Sequence, residues 1–165
     1  MIMNFILNGE DVSLNSNVDL RLVDILRGNF NLLGTKSGCR IGICGSCLVI
    51  FNGIVVKSCL IPAFKIRGSE IITIEGLSQT DEYQDIIQGF EEAGLECCGI
   101  CNTGKILATE ALLGRIIQPS KENILAAFSG IHCRCTEPEE LVQGVLVVSE
   151  FRQRRLYGRS YGSSF

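Results

Sequence analysis

The chain has 165 residues, 46% of them apolar and 20% charged, and a net charge of −3. That is apolar material enough for one core or two small ones, and the acidic balance excludes the basic footprint of a nucleic-acid binder. Met1 to Leu7 is apolar but lacks a basic leader and ends at Asn8-Gly9-Glu10, and no apolar run approaches a membrane span, so a cytoplasmic protein is expected.

Residues 4–7 and 12–14 flank Asn8-Gly9, a dipeptide that accepts the positive φ angles of a tight hairpin, and two strands are predicted there. Ser16 and Asp19 have capping-box spacing, and Leu22, Ile25 and Leu26 then share one face of a helix that ends at Gly28 and covers the sheet. After a cysteine-rich loop, residues 48–51 and 54–58 surround Asn52-Gly53, so a second hairpin leads straight into Cys59. Residues 71–74 give one more β-branched strand, and Glu75-Gly76-Leu77 closes this half. The pattern predicts a β-grasp, ferredoxin-like domain over residues 1–78.

From Thr80 the period becomes helical. Tyr83, Ile86, Ile87 and Phe90 share a face, and Gly94 stops the helix. Residues 104–117 form a second helix that ends before Pro119, and Ser120 caps a third over residues 121–129. Thr136 and Glu139 again have capping-box spacing, so a fourth, short helix is expected directly after Cys135. The fold class is therefore α+β: the β-grasp unit, then a four-helix bundle over residues 79–150, then a C-terminal tail over 151–165. In that tail Arg152, Arg154, Arg155 and Arg159 are interleaved with Tyr157, Tyr161 and Phe165, a composition suited to docking on a larger partner.

Eight of the nine cysteines fall into two sets of four. Cys39, Cys44 and Cys47 follow C-x4-C-x2-C, with Cys59 further on, which is the plant-type 2Fe-2S spacing. Cys98 and Cys101 form one short chelating loop and Cys133 and Cys135 another, a set that by itself suits iron-sulfur or zinc. Disulfides are disfavoured, because the thiols cluster at ligand spacing in a chain without a leader. Gly38, Gly42 and Gly45 allow tight turns and close approach of amides to cluster sulfurs. Arg40 and Arg134 each adjoin a candidate ligand and either offset its charge or are simply paired or solvated. Cys97 reads as a thiol outside the ligand set, and His132, the one histidine, as structural.

Leu33 to Cys39, then Cys44-Gly45-Ser46-Cys47, Cys59, Cys98-Gly99-Ile100-Cys101 and Cys133-Arg134-Cys135-Thr136 together resemble the small iron-sulfur subunit of the molybdenum hydroxylases, over about residues 4–146. That family includes xanthine and nicotinate dehydrogenases, aldehyde oxidoreductases and carbon monoxide dehydrogenases. The resemblance favours iron-sulfur over zinc at the second set. It implies two 2Fe-2S clusters, with Cys39, Cys44, Cys47 and Cys59 binding the one nearer the flavin and Cys98, Cys101, Cys133 and Cys135 the one nearer the molybdopterin. It further implies an oxidoreductase subunit, xanthine dehydrogenase-like and catalytically incomplete alone, relaying electrons between a molybdopterin-binding large subunit and an FAD-binding medium subunit. Three positions depart from the family: Cys97 where glutamine is usual, Thr103 where proline is common and Glu137 where glycine often stands. A stand-alone 2Fe-2S carrier or sensor is the alternative function, and a zinc-stabilised interaction module a third.

Overall fold

A computed structural model describes residues 1–96 and 98–158. Strands β1 (Ile2–Leu7) and β2 (Glu10–Asn15) form the first hairpin, turning through Asn8 and Gly9 at φ of 52° and 84°. Strands β3 (Leu48–Phe51) and β4 (Ile54–Lys57) form the second, turning through Asn52 and Gly53 at 49° and 77°. Both turns need left-handed backbone at two successive residues, which Asn-Gly accommodates at low cost. The short β5 (Glu70–Ile72) joins the hairpins, parallel to β1 and antiparallel to β3, giving the sheet order β2-β1-β5-β3-β4.

Helix α1 (Leu22–Gly28) covers one face of the sheet. Its Leu22, Ile25 and Leu26 are fully buried against Met3, Phe5, Val49 and Ile71. The expected Ser16–Asp19 cap is not made: the helix begins after Arg21, with no side-chain cap. Backbone pairing takes precedence over that local signal, because Phe64 and Ala63 donate to the carbonyls of Val18 and Leu20 and hold the segment extended. Residues 75–77 also differ from expectation, lying in a short helix α2 (Ile74–Leu77). The strand stops at Ile72 because Thr73 is clamped by Asn8, which accepts its N–H at 2.8 Å and donates to its hydroxyl at 3.1 Å.

Four helices follow: α3 (Asp81–Glu92), α4 (Asn102–Leu113), α5 (Lys121–Phe128) and α6 (Pro138–Gly158). Thr80 caps α3 by accepting from the Tyr83 N–H, and Ser120 and Asn123 close a reciprocal capping box on α5. Ile86, Phe90, Leu107, Leu113, Ile124, Val145 and Val148 make the helical core, and Leu48 and Ile50 of β3 join it. Since neighbouring strand residues point to opposite faces, β3 is buried on both sides, with Val49 toward α1 and Leu48 and Ile50 toward the helices.

The last helix is 21 residues long rather than short. It absorbs residues 151–158 of the expected tail. Arg152 is 4% exposed and meets Glu110 at 2.7 Å and Asp85 at 3.4 Å, while Arg155 meets Asp85 at 2.9 Å and Glu82 at 3.0 Å. These charges pin α6 to α3 and α4 instead of waiting for a partner. Arg159, Tyr161 and Phe165, named above for docking, lie outside the described residues, as does Cys97. Among the described residues no helix is long and apolar enough to cross a membrane.

Candidate metal centres

The first cysteine set is built by the coil between α1 and β3. Arg40, Gly42 and Gly45 have φ of 59°, 76° and 76°, which bends the chain around the Cys39 sulfur. The Ile43 and Cys44 N–H groups both donate to that sulfur at 3.3 Å. The amides of Cys44, Ile41 and Ile43 pull the Cys39 thiol down to about 6. Ser46 is buried and its hydroxyl lies 3.1 Å from the Cys44 sulfur. Cys59 sits in a 3-10 turn (Ser58–Leu60) just beyond β4, where Ser58 donates twice to the Cys47 carbonyl, from its N–H at 3.1 Å and its hydroxyl at 2.7 Å. Those bonds bring Cys59 beside Cys47, with Val23 of α1 behind both. Burial pushes the Cys59 thiol up, and the neighbouring Cys47 thiol adds to it.

Arg40 is paired with a carboxylate. Its guanidinium makes two 2.7 Å bonds to the Asp24 carboxylate on α1, and its carbonyl accepts from Arg21. This fastens the cysteine loop to the helix. The hydrogen bond from Arg40 is the main reason the Asp24 carboxyl lies below its usual range.

The second set gathers at two helix starts, as the sequence predicts. Cys98 and Cys101 precede α4, and Cys133 and Cys135 precede α6. The Cys98 and Cys101 sulfurs are 3.1 Å apart, Cys101 and Cys133 are 3.2 Å apart, and the Cys135 N–H donates to Cys133 at 3.4 Å. Cys98 and Cys135 also interact through their thiols. The Cys101 N–H, its thiol and the Ile100 N–H draw Cys98 down to about 6, while burial pushes Cys101 up to about 12. Cys133 settles at about 7: burial opposes ionisation, and the Cys135 amide, the Cys101 thiol and Lys105 favour it. Four thiols this close cannot all ionise without a compensating cation. Among the described residues no group of three or more histidine, cysteine or carboxylate side chains is spaced for a single metal ion, although the Cys101 sulfur lies close to both Cys98 and Cys133.

Thr136 does not cap α6 as expected. Its hydroxyl accepts from Lys105 Nζ at 2.7 Å and donates to the Glu96 carbonyl at 3.2 Å, and the Glu140 carboxylate takes the Glu137 N–H instead. Lys105 was not singled out by spacing. Its only sequence signal is a charge next to a short apolar run, residues 106–108, in a helical stretch. Arg134 and His132 are exposed.

The two sets touch through the backbone. The His132 N–H donates to the Cys44 carbonyl at 3.4 Å, joining a neighbour of Cys133 to a member of the first set. A Cβ on Gly45 would meet the Gly130 carbonyl at 2.7 Å, and one on Gly104 would meet the Gly45 carbonyl at 2.8 Å, so glycine is what permits the approach.

Residues 16–93 match the family described as 2Fe-2S iron-sulfur cluster binding domain, and residues 73–146 the 2Fe-2S binding domain. The nicotinate dehydrogenase small FeS subunit of Eubacterium barkeri is 43% identical over 134 residues, covering 81% of this chain and 85% of that one. The chain belongs to the small iron-sulfur subunits of the molybdenum hydroxylases. This iron-sulfur subunit is also 41% identical over 115 residues to a probable xanthine dehydrogenase subunit from Bacillus subtilis (strain 168), covering 70% of this chain and 66% of that one. In the crystal structure of quinoline 2-oxidoreductase from Pseudomonas putida 86, a chain superposes with a TM-score of 0.83 at 31% identity, covering 93% of this chain and 96% of its own. The α+β fold is thus that of the family's 2Fe-2S subunits, and the protein is an electron-transferring oxidoreductase subunit.

Proposed function

We propose that this subunit holds two 2Fe-2S clusters and passes electrons from a molybdopterin-bearing large subunit toward an FAD-bearing medium subunit of a cytoplasmic complex. Cys39, Cys44, Cys47 and Cys59 would hold the flavin-side cluster, within residues 1–78. Cys98, Cys101, Cys133 and Cys135 would hold the molybdenum-side cluster, in the helical part that follows. Each cluster, when bound, supplies a one-electron couple. What the chain supplies is the thiolate donors, the amides aimed at Cys39, and a fixed separation between the sets. The observation that carries this reading is the 3.4 Å bond from the His132 N–H to the Cys44 carbonyl, which joins a residue beside Cys133 to a residue of the other set.

The xanthine dehydrogenase-like expectation is kept in a broader form. Nicotinate, xanthine and quinoline, named in the three proteins compared above, are all nitrogen heteroaromatics, and a substrate of that class is proposed for the complex. Anaerobic purification from the native source, with iron, sulfide, molybdenum and flavin analysis, tests the proposal. Two reduced-state EPR signals and co-purifying large and medium subunits are expected. A functional chain that exchanges electrons with soluble donors and binds no larger subunit would support the stand-alone carrier instead.

A further inference from the structure

Lys105 is the bulkiest of the fully buried side chains, 1% exposed. It lies in the first turn of α4, where its backbone N–H donates to the Cys101 carbonyl at 3.1 Å. From there the side chain reaches the loop before α6, its Nζ donating to the hydroxyl of Thr136, the residue after Cys135, at 2.7 Å. Lys105, Cys133 and Thr136 line one cavity of about 310 Å³, together with the exposed Arg134 and Glu137. Thr136 is itself held by its bond to the Glu96 carbonyl, so the ammonium is fixed on the ligand loop.

Removing an ammonium from water is costly unless opposite charge compensates, and four thiolates around a di-iron centre supply that charge. One-electron reduction makes such a centre more negative by one charge, with no proton required. A fixed cation beside it is therefore attracted more strongly to the reduced state than to the oxidised one.

We propose that Lys105 raises the reduction potential of the second centre, its buried positive charge on the loop that carries Cys133 and Cys135 making that centre easier to reduce than it would otherwise be. The inference rests on the reading that Cys98, Cys101, Cys133 and Cys135 hold a cluster. EPR-monitored titration of the intact chain with dithionite as electron donor tests it. In Lys105→Gln and Lys105→Met the reduced-to-oxidised ratio of the second signal at a fixed potential is expected to fall about tenfold, or ~59 mV for one electron, with the first signal unmoved. Lys105→Arg should restore the ratio. An unchanged ratio in both neutral variants, or an equal shift of both signals, would overturn the assignment. Should the neutral variants not hold the second cluster, pulsed EPR of wild-type protein carrying 15N-lysine decides. A lysine nitrogen coupled to the reduced second centre is expected, and its absence sinks the proposal. A wild-type chain with one iron-sulfur signal would bring down the two-cluster reading, and this inference with it.

Discussion

Cys39 and Cys98 occupy corresponding places in their sets, each the first cysteine in sequence and each drawn to about 6 by amides of the loop that follows. Cys39→Ser is expected to erase the first EPR signal and leave the second, which double integration of both signals would check. The Asp24–Arg40 pair gives a pH signature. The folded carboxyl of Asp24 lies below its unfolded value of 3.8, so its stabilising contribution is complete above that value and is lost as pH falls through the lower folded one. Asp24→Asn should flatten this part of the acid limb in urea unfolding measured from about pH 5 down to about pH 2. Both partners are partly exposed, so the effect is a change of slope and not a collapse.

Among the elements, α6 is held by charge. Arg152→Met would leave the half-buried Glu110 without its cation and Asp85 with Arg155 alone, and a loss of about 1–3 kcal/mol is expected in denaturant unfolding. This clamp was not legible in the sequence, because the partners of Arg152 lie 42 and 67 residues away and nothing local distinguishes it from the exposed Arg154. The hairpins at Asn8-Gly9 and Asn52-Gly53 and the caps at Thr80 and Ser120 were legible, since the turn angle or the bonded amide belongs to the same few residues. Thr136 shows the opposite case: its spacing predicts a cap, but Lys105 and Glu96 claim its hydroxyl. Membership of the two cysteine sets was readable from spacing, whereas the backbone contact between them needed the fold.

At the scale of the whole molecule, Gly45 stands where the two cysteine loops meet. Gly45→Ala adds a Cβ at a φ of 76° and against the Gly130 carbonyl, so a loss of about 1–3 kcal/mol is expected. Weaker magnetic coupling between the two reduced centres should accompany it, read from the splitting of the EPR lines.

The double burial of β3 constrains how such a chain can evolve. One strand offers Val49 to one core and Leu48 and Ile50 to the other, so neither half ends where its ligands end. A chimaera that grafts residues 1–78 onto the helices of a cousin would inherit the seam from two parents. It should aggregate or lose cooperativity unless the helix facing Leu48 and Ile50 is exchanged along with the strand.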